Sequence, residues 1–232
     1  MYKDTKEPGM ENRMKKLSVI LAILIGFTSY AVSNTVENYK KACIEGNAKG
    51  CFGLALAYYE GIEVERDYEL AKDFLEIACD DQIATGCYNL GILYDNGQGV
   101  KHNAHKAREY YMKACDLGKG SGCGNLGVMY EGGQGIKRNY VKAVEYHKKA
   151  CDLNAGTGCS NLGSKYYKGQ GVNRNYKKAG EYFKKACDLK AGFGCYNLGI
   201  LYERGKGVQR NKRKAKAYYK KACDLGFNEG CE

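Results

Sequence analysis

Apolar residues recur along most of the chain at the three-to-four-residue spacing of amphipathic helices. In one kind of segment, Leu90, Gly91 and Tyr94 share one face of a short helix that the pattern starts near Cys87. In the next kind, a helix predicted from about Ala104 to Cys115 has charged residues on one face and an apolar opposite face made up of Ala107, Tyr110, Tyr111 and Ala114. The pattern therefore predicts pairs of helices joined by short turns.

This pair of helices is repeated with a period of 36 residues. Each unit contains Gly-Cys-x-Asn-Leu-Gly, a Tyr, a Gly-x-Gly turn, a Lys-Ala step and a closing Ala-Cys-Asp. A fixed period between 20 and 50 residues is typical of a solenoid, and glycine suits the left-handed turn that ends a helix. About five and a half units, with atypical first and last units, fill residues 32–232. We therefore predict one all-α domain, an αα-hairpin solenoid.

The 12 cysteines form six C-x7-C pairs on the same period. Cys79 ends one predicted helix and Cys87 begins the next, so the turn between them brings the two thiols within disulfide reach. Chain-entropy arguments give each ring on the order of 2.5 kcal/mol of stabilisation. The chain has no C-x2-C spacing, which argues against zinc and thioredoxin-like sites, and no metal site is predicted. The predicted pairs, one per repeat, are Cys43–Cys51, Cys79–Cys87, Cys115–Cys123, Cys151–Cys159, Cys187–Cys195 and Cys223–Cys231.

The N-terminal segment has the pattern of a secretory signal. A basic stretch at 14–16 precedes an apolar run at 17–27 and a small-x-small cleavage site that ends at Ala31. The apolar run is too short to span a bilayer comfortably, and paired cysteines are typical of oxidising compartments. We predict that residues 1–31 contain a signal peptide, which either starts at Met10 or Met14 after a mis-assigned N-terminal extension or is a longer signal. The mature protein is expected to be secreted or periplasmic, with no membrane span.

The charge balance, 37 Lys and Arg against 26 Asp and Glu, comes mainly from lysine-rich faces of the second helices. No motif of a nucleic-acid-binding domain accompanies these lysines, so no nucleic-acid partner is predicted. Attraction to anionic surfaces, cell wall or host partners is the expected use of the basic surface.

The unit G-C-x-N-L-G-x-x-Y-x-x-G-x-G-V, followed by K-A-x-x-Y-x-K-A-C-D-L, resembles the Sel-one-like repeat, a tetratricopeptide relative of about 36 residues. With a C-x7-C pair in every unit and a signal peptide, residues 34–232 resemble the Helicobacter cysteine-rich protein family. The resemblance implies a secreted, disulfide-bridged αα solenoid. It also implies a slow β-lactamase that binds or hydrolyses penicillin-type compounds or related cell-wall material. The alternative is a non-enzymatic scaffold that binds a protein or peptide at the cell envelope or on host partners.

The residues themselves give little support to catalysis. The S-x-x-K and K-T-G motifs of serine β-lactamases are absent, and the Gly-x-Gly turns lack the features of phosphate or dinucleotide loops, so no cofactor is predicted. His102 and His105 are read as an exposed helix start rather than a metal site. Ser164 and Lys168 lie one helical turn apart, and a lysine can activate a serine. They are weak catalytic candidates, because surface variation explains them as well.

A periodic asparagine of the first helix is the main binding candidate. By resemblance to tetratricopeptide stacks, the first helices line the concave surface, where an amide can both donate to and accept from a peptide backbone. The alternative is that each asparagine hydrogen-bonds the neighbouring unit and holds the repeat spacing. The asparagines are Asn89, Asn125, Asn161 and Asn197. Non-periodic neighbours expected to set specificity are Tyr88, Gly124, Ser160, Tyr196, Asp95, Glu131, Tyr167 and Glu203.

Overall fold

A computed structural model describes residues 34–231, and the predicted signal peptide at 1–31 lies outside them. Within the described range all regular structure is helical, with 11 α-helices, one short 3-10 helix and no strand. None of these helices has the length and apolar character needed to cross a bilayer. The helices are α1 (Asn34–Ile44), α2 (Ala48–Glu60), α3 (Tyr68–Asp80), α4 (Ala84–Asn96), α5 (Ala104–Asp116), α6 (Gly120–Gly132), α7 (Tyr140–Asp152), α8 (Gly156–Lys168), α9 (Tyr176–Asp188), α10 (Gly192–Arg204) and α11 (Lys212–Asp224), followed by the 3-10 helix Asn228–Gly230.

Helices α2 to α11 form five consecutive antiparallel hairpins, here called units one to five. Helix α1 corresponds to the second helix of a preceding unit. The first helices of units three, four and five contact one another directly, α6 with α8 and α8 with α10, whereas the second helices make no comparable contact. The first helices therefore lie on the inner side of the stack. The predicted all-α hairpin solenoid is confirmed.

The helix ends follow from local sequence. In unit two the first helix ends at Gly97, whose φ of 69° is the left-handed conformation that glycine adopts without strain. At Gly99 an added Cβ would lie 2.6 Å from the backbone of Tyr68 in the preceding unit, so only glycine fits. The second helix begins after Asn103, whose side chain accepts the Lys106 N–H. The same asparagine cap begins α7, α9 and α11.

The first helices begin earlier than the apolar pattern predicts. Helix α4 starts at Ala84 rather than near Cys87, because α3 ends at Asp80 and three residues are enough to make the turn. Cys87 therefore lies within the first turn of α4.

In units two to five, a ring of the second helix packs against a glycine of the first helix. In unit two, Tyr111 is 1% exposed, and an added Cβ at Gly91 would lie 2.4 Å from its ring. Ala107 and Ala114 are fully buried beside it, as predicted. The remaining predicted core residue, Tyr110, is half-buried. The ring one residue earlier in the second helix stacks on a first-helix tyrosine in all five units, in the pairs Tyr58–Phe74, Tyr94–Tyr110, Tyr130–Tyr146, Tyr166–Tyr182 and Tyr202–Tyr218.

All six predicted disulfides are present, and each joins the end of one second helix to the beginning of the next first helix or turn. Their Cα atoms are 4.4 to 4.8 Å apart. The five bridges nearer the N-terminus are buried, with cysteines at most 2% exposed. The last bridge differs, since Cys223 is half-buried and Cys231 is exposed.

Candidate ligand groove on the inner face

The inner face comprises the residues of α4, α6, α8 and α10 that point away from the second helices. The periodic asparagines on this face have different surroundings. The Asn125 side chain approaches the hydroxyls of Tyr88 and Tyr111 in the preceding unit. Burial raises the pKa of both tyrosines, and the Asn125 amide partly offsets that rise. Asn197 Nδ2 donates to the Phe193 carbonyl of its own helix at 2.8 Å. Asn125 therefore joins two units, whereas Asn197 does not.

Two of the asparagines keep their amides available. Asn89 and Asn161 are half-buried, and within residues 34–231 neither side chain has a hydrogen-bond partner. Asn161 lies in unit four, near the middle of the groove. Its amide could pair with a ligand backbone without first breaking a bond within the protein.

Tyrosines bound the middle of the inner face on two sides. Tyr88 packs on Tyr111 with ring centroids 5.9 Å apart, and Tyr196 packs on Tyr219 at 5.4 Å. At the same register, units three and four have the small residues Gly124 and Ser160. A Cβ added at Gly124 would meet only the Ala150 methyl, at 4.0 Å. An added side chain at 124 therefore has room in unit three, whereas Ser160 of unit four is 2% exposed and lies against Gly194 of the next unit.

Carboxylates at the next register position accept hydrogen bonds from the second helix of their own unit. Tyr111 donates its hydroxyl to Asp95 Oδ2 at 3.2 Å, and Tyr219 donates to Glu203 Oε2 at 3.0 Å. Burial and the adjacent carboxylate raise the pKa of Tyr219 to about 12. Each pair fixes a carboxylate against the hairpin that carries it.

Unit three carries a buried cluster of ionisable groups at this position. His147 is fully buried, and its Nε2 lies 2.6 Å from Glu131 Oε1. Lys165 of unit four is 4% exposed, with its Nζ 2.5 Å from Glu131 Oε2 and 3.2 Å from the side-chain oxygen of Gln170. Burial opposes ionisation of Glu131, but the hydrogen bonds from His147 and Lys165 outweigh it and hold its pKa below the ordinary value. The cluster therefore links units three and four through a buried ion pair.

Sequence reasoning missed Lys165, although it lies between the two residues proposed as a catalytic pair. Its register position holds Leu93, Met129 and Leu201 in units two, three and five, so a lysine there breaks the apolar pattern. This break in the apolar pattern could have identified Lys165 from the sequence. Its partner Glu131 was considered only as a groove residue.

The predicted pair itself forms no direct contact. The Ser164 hydroxyl donates to the Ser160 carbonyl at 3.0 Å, as a helix-interior serine commonly does. Lys168 is exposed, and no hydrogen bond joins it to Ser164 within the described chain.

His102 and His105 are both exposed at the start of α5. Among residues 34–231, no group of three or more side chains could hold a metal ion.

The fold and the inner face define a class, the disulfide-bridged helical repeat scaffold. The family model of the Sel1 repeat matches residues 48–82, 84–119, 121–154, 157–190 and 192–227, which correspond to units one to five. The chain therefore belongs to the Sel1 repeat family. No curated protein matches it.

Several solved structures are similar to the chain. A protective antigen of uropathogenic Escherichia coli with an SLR fold has 32% identity and a TM-score of 0.77 over 84% of this chain, which spans only 42% of that protein. A Sel1 repeat protein of Oxalobacter formigenes has 23% identity and a TM-score of 0.74, covering 82% of this chain and 84% of its own. Helicobacter pylori cysteine rich protein B has 39% identity and a TM-score of 0.47 over 58% of this chain and 97% of its own.

Proposed function

We propose that this protein is an extracytoplasmic scaffold whose inner face binds an extended peptide segment of a partner protein. The observation that carries the proposal is that the core leucine of the first helix repeats from unit to unit, whereas the residue two positions before it, next to the periodic asparagine, does not. Leucine recurs at 90, 126, 162 and 198, while the neighbouring groove position reads Tyr88, Gly124, Ser160 and Tyr196. A periodic frame with non-periodic groove residues suits recognition of one particular ligand.

The chemistry of the groove supports a peptide rather than a small apolar molecule. Tyr88 and Tyr196 offer half-buried rings, and Asn161 offers an amide that can both donate and accept. Sel1 repeat proteins are generally protein-interaction scaffolds. The six disulfides fit an oxidising compartment outside the cytoplasm.

The test uses the oxidised protein and a pool of random nine-residue peptides, with bound peptides identified by mass spectrometry. We expect specific peptides to be enriched and to bind about tenfold more weakly to Asn161→Ala, the effect of losing roughly one hydrogen bond. Asn173→Ala, in the exposed turn between α8 and α9, is the matched control and should leave affinity unchanged. Failure to enrich any peptide above the reduced, unfolded protein would contradict the proposal.

Hydrolysis of β-lactams is implied only by resemblance, and neither the arrangement of Ser164 nor the comparisons support it. The same preparation can be assayed with a chromogenic cephalosporin beside Ser164→Ala and a mock purification. Turnover above the mock that the variant abolishes would favour the enzyme. No turnover above the mock is the result we expect.

A further inference from the structure

Two tyrosines occupy the same register position three units apart, and their surroundings differ in charge. Tyr59 in unit one packs edge-on against Tyr68 with centroids 5.3 Å apart, and Tyr167 in unit four packs likewise against Tyr176 at 5.2 Å. The Tyr59 hydroxyl donates to Gln98 Oε1 at 3.4 Å, and Gln98 also accepts from Asn96. The Tyr59 hydroxyl is therefore hydrogen-bonded to a neutral amide, and its nearby charges are of opposite sign, Glu60 and Arg66.

Around Tyr167 both amides are replaced by cations. Lys206 stands at the register position of Gln98, and Arg204 stands at that of Asn96. Lys206 Nζ donates to the Tyr167 hydroxyl at 3.3 Å and lies 5.2 and 5.1 Å from the ring centroids of Tyr167 and Tyr176. The Arg204 side chain approaches the same hydroxyl.

The pKa values of the two tyrosines are shifted in opposite directions from their ordinary value. Burial is the main cause that raises the pKa of Tyr59. Burial acts the same way on Tyr167, but the hydrogen bonds from Lys206 and then Arg204 outweigh it and hold the Tyr167 pKa below its ordinary value. The Tyr167 hydroxyl therefore lies in a net positive electrostatic environment.

Within the described chain these cations lack a carboxylate partner. Outer-face lysines are paired, for example Lys149 with Asp116 at 2.9 Å and Lys184 with Asp188 at 2.8 Å. No ion pair within 4.0 Å joins Arg204 or Lys206 to a carboxylate in residues 34–231. The C-terminal units also carry more basic than acidic residues.

Units one and four lack a carboxylate at this register position, and only in unit four do cations surround the tyrosine that replaces it. Units two, three and five carry an acidic residue where unit four has Tyr167. The second helix of unit four has Phe183 where the other three have a hydrogen-bonding side chain. Residues 155–226 carry 17 Lys and Arg against four Asp and Glu, whereas residues 34–82 carry five against 11. An anionic ligand is therefore attracted to this end of the groove.

We propose that Tyr167, Arg204 and Lys206 form a carboxylate-binding subsite, at which the peptide supplies the anion that the neighbouring units carry themselves. This inference rests on the proposed function and adds that the bound peptide is acidic. A guanidinium can hold a carboxylate through two hydrogen bonds, while Lys206 and the phenol each donate one more. Exposed Lys168, one residue beyond Tyr167, adds to the positive field.

The experiment repeats the selection with two peptide pools, one with free and one with amidated C-termini. The wild-type protein should enrich Asp or Glu at one peptide position, or enrich only peptides with a free terminus. These two results identify a side-chain or a terminal carboxylate, and both support the subsite. The test variant Arg204→Asn/Lys206→Gln installs the residues that accompany Tyr59, so it should fold. We expect it to bind the selected acidic peptide about tenfold or more weakly.

The control variant Lys148→Gln/Lys184→Gln removes the same charge from exposed outer-face positions and should bind as the wild type does. Equal loss in both double variants would show a general charge effect and overturn the subsite. Enrichment of peptides without acidic character would overturn the subsite and leave the scaffold function standing. Failure to enrich any peptide would instead contradict the proposed function itself.

Discussion

Units two and five present nearly the same groups on the inner face, whereas units three and four between them do not. In the outer two, a first-helix tyrosine packs on a second-helix tyrosine, which in turn donates to a carboxylate. The central two replace every member of that set except one carboxylate. The sets are Tyr88, Tyr111 and Asp95 in unit two, Gly124, His147 and Glu131 in unit three, Ser160, Phe183 and Tyr167 in unit four, and Tyr196, Tyr219 and Glu203 in unit five.

The difference shows that the frame and the groove are separable. All four units keep helices of 13 residues, the glycine ends, the asparagine caps and the disulfides. Only side chains at fixed register positions change, so inner-face chemistry varies without altering the path of the backbone. The cost is local and falls on the central units, where the ammonium group of Lys165 is buried at a position that is Leu or Met in units two, three and five.

The largest expected effect comes from breaking that central pair. Glu131→Gln leaves the buried Lys165 ammonium without its counter-charge and should destabilise the fold by about 3–5 kcal/mol. Chemical denaturation of the oxidised protein, followed by circular dichroism, measures the loss. Glu145→Gln, on the exposed outer face of the same unit, should change stability by less than about 0.5 kcal/mol. Equal effects of the two changes would show that the buried pair is not special.

Converting the centre to the pattern of its neighbours should restore most of that loss. Glu131→Gln/Lys165→Leu places at 165 the residue found at 93 and 201, so no buried charge remains. Replacing a buried ion pair by apolar residues is often neutral or stabilising, and we expect recovery of roughly 2–4 kcal/mol relative to Glu131→Gln. A double variant no more stable than the single one would mean that Leu cannot pack at this position.

Two glycines of unit three should respond oppositely to an added methyl group, with smaller changes in stability than the ion-pair variants. A Cβ at Gly127 would lie 2.4 Å from the His147 ring, so Gly127→Ala should cost about 1–3 kcal/mol. Gly124 has open space instead, so Gly124→Ala should stabilise α6 by roughly 0.5–1 kcal/mol. Thermal unfolding of both variants tests the opposite signs. A loss of stability in Gly124→Ala would show that the space beside Gly124 cannot hold a methyl group.

The smallest effect concerns pH. The folded pKa of Glu131 lies below its ordinary value of 4.5, so its ion pair with Lys165 stabilises the protein above that value and is lost as pH falls through the lower, folded pKa. The gap in melting temperature between wild type and Glu131→Gln should therefore narrow from about pH 6 to about pH 3. A gap that stays constant or widens in acid would contradict this assignment.

Periodicity allowed the repeat, the helix pairs and all six disulfides to be predicted, because each of these recurs at a fixed 36-residue interval. Helix starts were less predictable, since the turn before Ala84 has no capping side chain to mark it. The Glu131–Lys165 contact was hidden for a related reason. It joins two different register positions of adjacent units, and a period says nothing about which positions meet across a unit boundary.

The exposure of the Cys223–Cys231 bridge determines which disulfide we expect to be reduced first. The cysteines of the other five bridges are at most 2% exposed, whereas Cys223 is half-buried and Cys231 is exposed. A thiol reductant should therefore reach Cys231 first and free the C-terminal end while the preceding bridges stay closed. In reducing surroundings, solvent access to sulfur, rather than the spacing that all six bridges share, then sets the order in which the disulfides open.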